Sequence, residues 1–429
     1  MKLGVIGGGA LGLTVALRRA QAGDEVVIFE KGQESGGLAA SFPVTAKGKD
    51  GSHLEKYYHH IFGTDKDIIR LIDELGLTSE MVWKKPNSAI LRDGKIFRLD
   101  GVVSILRLKP IPFIDRIRMG VVGLYLKLEG NYQRLAKTTA NAWVQKWMGK
   151  NSYEVVWKPQ LLNKFGDKYD QIAMPWLWSR IHERTFALGY MQGGFNKFYV
   201  ALEKAVKKAG GQVRFGANIS DIKPKPDGKV SITEGGQEYI FDKVVTTVPT
   251  RVFTKMAESS LPQSYIEKYG GANSVEHYGA QVVVLSLKRS VMPAYWLSIT
   301  DPGYPFLAMV EHTNFMPTSD YDGQHLLYMG NYLPHTHPYF SKTAEEMVKE
   351  FIPAIKRINP DFDESWINRF WVWGGPYAQP IVTMDYYSKL PPHETPIPNV
   401  YLANMAHVYP QDRGQNYSIK LGEKIAKLL

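Results

Sequence analysis

The chain is predicted to be an α/β protein. Three observations lead there. Leu3-Gly4-Val5-Ile6 is a short apolar run of strand character, and Gly7-Gly8-Gly9-Ala10-Leu11-Gly12 follows it. Leu13, Ala16, Leu17 and Ala20 then keep helical spacing up to Gly23, a natural helix stop. Val26-Val27-Ile28-Phe29 is a second strand-like run, closed by Glu30. Strand, glycine turn, helix, strand is the order of a parallel βαβ unit.

At roughly 100–200 residues per domain, a chain of 429 residues predicts two or three domains, or one large discontinuous one. Hydrophobic residues at 44% and charged residues at 22% are ordinary globular usage, which argues against disorder. With no cysteine there is no disulfide scaffold, no thiolate metal site, no cysteine nucleophile and no cofactor attached through sulfur. The net charge of +10 suits an anionic ligand or a membrane surface. No Lys/Arg tract of the nucleic-acid kind occurs, so no nucleic-acid partner is expected. No signal peptide and no apolar stretch of roughly 18–20 residues is read, so a cytoplasmic protein is expected.

The glycine turn has a chemical reading. Gly7, Gly9 and Gly12 fit G-x-G-x-x-G. Gly7 permits the tight turn, Gly9 lets the backbone approach a pyrophosphate, and Gly12 lets helix and strand pack closely. The helix start at Ala10 and Leu11 offers free N–H groups and a partial positive charge to phosphates. Glu30, followed by Lys31, stands where an acid accepts hydrogen bonds from ribose hydroxyls. This is a Rossmann-like dinucleotide site.

A second glycine pair follows in Ser35-Gly36-Gly37-Leu38-Ala39-Ala40-Ser41. The pattern resembles a large flavoprotein group of amine oxidases, protoporphyrinogen oxidases, phytoene desaturases and UDP-galactopyranose mutases. Tyr57-Tyr58-His59-His60-Ile61-Phe62 resembles the stretch that passes the flavin ring there. Met191-Gln192-Gly193-Gly194-Phe195, the runs Val213-Arg214-Phe215 and Ile219-Ser220-Asp221-Ile222, and Val244–Pro249 resemble the return to the cofactor unit. At the C-terminus the strand Val400–Ala403, then Asn404, Tyr409–Asn416 and a final helix resemble the segment that holds the ribityl chain. One departure stands out: Ala403-Asn404 replaces the usual Gly-Asp.

The resemblance implies noncovalent FAD and a discontinuous fold. Residues 1–85, 190–250 and 395–429 converge on a Rossmann-like FAD-binding domain, and 86–189 with 251–394 build a mixed-sheet α+β substrate domain. The implied cofactor residues are Gly7, Gly9, Ala10, Leu11, Gly12, Glu30, Lys31, Gly36, Gly37, Leu38, Ala39, Ile219, Asn404, Gly414, Gln415 and Asn416. In the second region, 281–287, 295–299, 306–310 and 326–330 read as strands, and a helix is expected over 343–357. Residues 102–128 mix apolar and basic side chains. They suit a helix packed on its own domain with snorkelling basic groups, or peripheral contact with an anionic membrane.

A flavin takes a hydride, so the protein's task is to position a C–H bond and exclude water. His60, His59 and Tyr58 are the candidates nearest the ring, as proton acceptors or as packing. Arg180 and Arg184, placed on one helical face by their spacing, suit a carboxylate or phosphate, or equally a salt-bridged face. Trp371 and Trp373 alternate onto one side of a strand, with Tyr377 beyond, and Trp373 and Tyr377 are candidates to line the substrate. His335 and His337 lack a third ligand, so no metal is expected. The expected activity is an FAD-dependent oxidoreductase that abstracts a hydride from a carbon of a bulky, partly apolar substrate. The electron acceptor is oxygen, a quinone or another small molecule. A mutase-like flavin isomerase with no net redox, or a flavin amine oxidase, are the alternatives.

Overall fold

The computed structural model describes residues 1–46 and 51–429. Its first sheet has five strands, all parallel. Lys2–Ile6 lies at the centre, between Glu25–Phe29 and Lys243–Thr246, with Gln212–Arg214 and Val400–Leu402 on the outside. The strand runs are apolar on both faces, as a parallel sheet covered on both sides requires. Helix Ala10–Gln21 covers one face, and the closing helix Gln415–Leu428 packs against it. A Cβ on Gly422 would stand 2.9 Å from the Leu11 carbonyl oxygen, so glycine sets how closely those helices approach.

The first turn is built on backbone contact. Gly7 has φ +109°, and a Cβ on Gly12 would run into the carbonyl oxygen of Gly7. The helix therefore leaves the strand as tightly as two peptide units allow.

The second large sheet has seven strands. Their order is Ile367–Pro380, His277–Leu287, His325–Leu333, Ala308–Glu311, Trp296–Ile299, Ser88–Arg92 and Lys95–Arg98. All neighbours are antiparallel except Trp296–Ile299 with Ser88–Arg92. Strand alternation divides the residues of His277–Leu287. Val282 and Val284 join the core that contains helix Ala10–Gln21, whereas Val283, Leu285 and Leu287 pack with Met347, Phe351 and Ile355 of helix Ala344–Ile358. That helix starts with a capping box between Thr343 and Glu346.

Glu55, at the end of strand His53–Glu55, ties strand Leu188–Met191 and the start of helix Asn196–Lys208 to the seven-stranded sheet. It is buried, accepts from Tyr190 Oη at 2.8 Å and Phe195 N at 2.7 Å, and its carbonyl accepts from Tyr328 Oη at 2.7 Å. Burial pushes its carboxyl up to about 7.

Two local expectations change. Residues 102–128 form two helices, Val102–Leu106 and Phe113–Leu128, because Pro110 and Pro112 interrupt the backbone ladder. The expected packing of this stretch on its own domain is partial. Arg116, Arg118 and Lys127 do donate to nearby backbone carbonyls, but the longer helix buries only Met119 and Leu126. Ile114 and Leu128 are 72% and 74% exposed. Second, Arg180 and Arg184 do not share a helical face, since helix Met174–His182 ends before Arg184.

Gly12→Ala should lower stability by about 1–3 kcal/mol, because the new methyl meets backbone rather than a side chain that can rotate away. Urea unfolding of the purified variant measures it. An unchanged midpoint would contradict the tight turn.

Candidate functional site

The glycine segments meet face to face. Gly36 N donates to Gly8 O at 2.9 Å, and Gly9 and Gly36 form an isolated parallel bridge. A Cβ on Gly9 would find nothing nearer than Gly37 Cα at 3.9 Å, and one on Gly37 would find Gly9 Cα at 3.4 Å. The protein itself thus leaves room at Gly9 that a side chain would fill. Helix Ala10–Gln21 starts at Gly9 with no capping side chain, so its first N–H groups stay open to an anion. Glu30 ends the second strand and accepts from Gly8 N and Gly32 N, each at 2.6 Å. Glu30 N donates to Arg214 O and Ala217 N to Glu30 O, which brings the segment before the buried Ile219 to this acid. A dinucleotide pyrophosphate and ribose fit such a cradle. Lys31 is exposed beside it.

Leu38 and Ala39 continue from the glycine pair, with Ala39 buried and Leu38 lying against Gly375. The closing helix begins at Gln415, after Gly414, also without a capping side chain. Gln415 Oε1 accepts from Tyr199 Oη at 2.8 Å. Two expected cofactor side chains are engaged elsewhere. Asn416 Oδ1 accepts from Asp67 N and Ile68 N and so caps helix Lys66–Glu74. Asn404 donates to Val248 O and Thr250 Oγ1 and accepts from Ala406 N, which occupies its amide within the protein. Their short polar side chains suit turns and caps.

Tyr58, His59 and His60 stand together at the inner side of the seven-stranded sheet. The Tyr58 ring meets Trp296 and Tyr328 edge-on, with centroids 5.0 and 6.1 Å away. His60 packs against Phe62 and Trp296, and its Nδ1 is 3.3 Å from Tyr295 Oη. His59 Nδ1 lies 2.6 Å from Tyr57 O. A carbonyl only accepts, so Nδ1 carries the proton and Nε2 is the free acceptor. Burial pulls His59 down to about 4 and His60 to about 3, the latter helped by the Arg184 charge. Both rings are neutral at neutral pH.

Trp371 and Trp373 do face one way, since the Phe42 ring lies 5.0 and 5.1 Å from them. Lys56 Nζ sits 5.0 Å over Trp373. Tyr377 is not brought to this group. It lies where the strand bulges against Tyr278/Ala280 and packs edge-on to His277.

A charged cluster adjoins the tyrosines. Arg180 pairs with Asp412, and Arg413 donates to both Gln379 and Tyr332 Oη. Tyr332 Oη is 3.5 Å from Tyr58 Oη. Lys164 is buried, with Nζ 4.8 Å from the Tyr332 ring centroid and 3.8 Å from Asp412 Oδ2. Burial opposes the Asp412 charge, but Lys164, Arg180 and Arg413 together hold its carboxyl well below the usual range.

Sequence reasoning missed Lys164, Tyr332, Gln379, Asp412 and Arg413 as site residues. Lys164 had a signal: it shares the apolar stripe of its helix with Leu161 and Phe165, where a charge is out of place.

Comparison with known proteins agrees with this architecture. Residues 12–411 match the family model for flavin containing amine oxidoreductases. A 15-cis-phytoene desaturase of Narcissus pseudonarcissus is 22% identical over 292 residues, covering 61% of this chain and 49% of that protein. A coproporphyrinogen III oxidase of Staphylococcus aureus is 22% identical over 291 residues, covering 58% and 60%. The aligned stretch thus spans only about half to three-fifths of those relatives. Among solved structures, a reduced UDP-galactopyranose mutase superposes with TM-score 0.76 at 16% identity, covering 100% of this chain and 96% of that one. A cyclohexylamine oxidase from Brevibacterium oxydans gives 0.69 at 14% identity, covering 100% and 98%. At such identities these likenesses speak for the fold, whereas the family model spans nearly the whole chain: the protein belongs to the flavin containing amine oxidoreductase family.

Proposed function

We propose that the chain is an FAD-dependent oxidoreductase that takes a hydride from a carbon of a bulky, partly apolar substrate. The observation that carries this reading is the room kept at Gly9 opposite Gly37, beside an uncapped helix start and Glu30. When bound, the flavin supplies the hydride acceptor. The chain's own residues bind and orient. Gly7 through Gly12 and Gly36–Ala39 hold the pyrophosphate side, and Glu30 the ribose. Gly414 and Gln415 open a second helix start towards the same unit.

Tyr58, His60, Trp296 and Tyr328 form an aromatic wall that excludes water and positions an apolar carbon skeleton. His60 and the free Nε2 of His59 accept a hydrogen bond or a proton from substrate, since both are unprotonated. Mutase-like chemistry without net redox is the second reading. Arg180 and the cations around it favour it, because they suit a phosphorylated substrate. A reductant that is required but not consumed would mark that reading.

Peripheral membrane contact through 102–128 also belongs to the proposal. Phe113, Ile114, Val121, Leu124 and Leu128 are exposed on one helix, with exposed Arg107, Lys109 and Lys127 nearby. An apolar substrate would reach the enzyme from the bilayer.

These statements have measurable consequences. Gly9→Ala should keep its urea midpoint, since the methyl has space, yet lose FAD affinity tenfold or more. FAD, not FMN, should leave the wild-type protein on acid precipitation. Full occupancy in Gly9→Ala, or flavin retained in the denatured pellet, speaks against this placement. His60→Ala, loaded with FAD, should be reduced at least tenfold more slowly, about 1.4 kcal/mol of barrier. The wild-type rate should show no ionisation near 6.5 and should fall only below about pH 4, where His59 and His60 begin to protonate. A step at pH 6–7 that His60→Ala removes would refute the neutral-histidine role. Finally, the protein should sediment with vesicles of mixed neutral and anionic lipid, and Ile114→Glu with Leu128→Glu should abolish this. Wild-type protein left in the supernatant refutes membrane contact.

A further inference from the structure

The cluster beside Tyr332 holds more positive charge than the protein balances. Lys164, Arg180, Arg184 and Arg413 are four cations, and Asp412 is the carboxylate that faces them. Arg180 takes one oxygen of Asp412, while Trp176 Nε1 donates to the other at 3.1 Å. Arg413 Nη1 is 3.7 Å from Asp412 and donates to Gln379 Oε1, while Nη2 donates to Tyr332 Oη. Lys164, at 3.8 Å, is beyond hydrogen-bond distance of that carboxylate. Arg184 carries its charge into the same field from a loop position open to solvent.

Burying like charges together is unfavourable unless something neutralises them. The side chains record that strain in their ionisation. Burial and the Arg180 charge hold Lys164 well below the usual ammonium range. That lowering marks an uncompensated positive field around Lys164. The same charges act on Tyr58 and His60, so the field reaches the proposed reaction face.

We infer that Lys164, Arg180, Arg184 and Arg413 form a binding subsite for a polyanionic group of the substrate, either a phosphate or diphosphate ester or a pair of carboxylates. Asp412 is its positioning residue: it fixes Arg180 and leaves the other three cations for the ligand. The inference rests on the proposed oxidoreductase reading only for the placement of the subsite beside the reacting carbon. It also narrows the substrate class. A protonated amine meets repulsion here, and a pure hydrocarbon leaves the cations unpaired, whereas a bulky apolar body with a polyanionic end satisfies both halves of the cleft.

The test begins with the flavin content of the purified protein, which examines the cofactor reading alone. The protein is then titrated with sodium pyrophosphate, with tricarballylate and with spermidine at constant ionic strength. Tryptophan fluorescence and the flavin band are followed together. At least one polyanion should bind saturably and spermidine should not. Pyrophosphate alone assigns a phosphate ester, tricarballylate alone assigns carboxylates, and both together assign the shared oxyanion chemistry. Arg184→Gln, in a solvent-open loop, should weaken the binding at least tenfold, about 1.4 kcal/mol. Lys164→Met should do the same wherever it folds. Flavin-loaded protein with no saturable response to either polyanion overturns the inference. So does binding that Arg184→Gln leaves unchanged, or spermidine binding as tight as the polyanions. Flavin-free protein that binds a polyanion through Arg184 upholds the subsite and sinks the cofactor reading alone.

Discussion

The candidate site depends on the crossing of one backbone over another, where Gly36 N donates to Gly8 O at 2.9 Å. Across it a Cβ on Gly9 or Gly37 would be in ordinary contact only, 3.9 and 3.4 Å from the facing Cα, so the crossing keeps a space open. That approach fixes where the loop after residue 30 crosses the first turn. It also directs the following segment, through Leu38 and Ala39, towards the inner face of the second sheet. Tyr57 inherits this direction and meets Gly375, where again no side chain stands in the way. The aromatic wall is thus aligned with the glycine cradle by backbone geometry, and the side chains only complete it.

The second sheet serves both halves of the site by strand parity. Residues of His277–Leu287 that point inward join the core of helix Ala10–Gln21, while their neighbours are held by helix Ala344–Ile358. Inward residues of the adjacent strand, Tyr328 and Tyr332, face different tasks four positions apart. Tyr328 ties the sheet to Glu55, and Tyr332 receives Arg413. One strand therefore carries a structural contact and an electrostatic one on the same side.

Much of this was legible in the amino-acid order. Gly7, Gly9, Gly12, Glu30 and the pair Gly36-Gly37 announce themselves because backbone-only positions leave a mark that other residues cannot mimic. The strand runs 281–287 and 326–330 are visible in their apolar continuity, and the parity of Trp371 and Trp373 follows from alternation. The charged cluster was not legible, because Lys164, Arg180, Asp412 and Arg413 come together from three distant segments, and no local spacing relates them. Asn404 and Asn416 show a different side of the same point. Their position relative to the final helix suggested a ligand, but a short amide beside a turn is readily claimed by nearby backbone groups, and here it is. The break at 107–112 was written in Pro110 and Pro112, yet the apolar periodicity on either side masked it.

The central strand also has a consequence for how the protein is made. Lys2–Ile6 pairs with Lys243–Thr246, and Arg18 of the first helix is hydrogen-bonded to Glu423, 405 residues later. A ribosome adding roughly 5–20 residues per second holds the first strand and helix for on the order of half a minute or more before that partner emerges. During this time the apolar face of Ala10–Gln21 has no closing helix to cover it. The unit cannot be finished in the N- to C-terminal order of synthesis. Its folding is a late, long-range event, and that apolar face stays uncovered while the nascent chain lengthens.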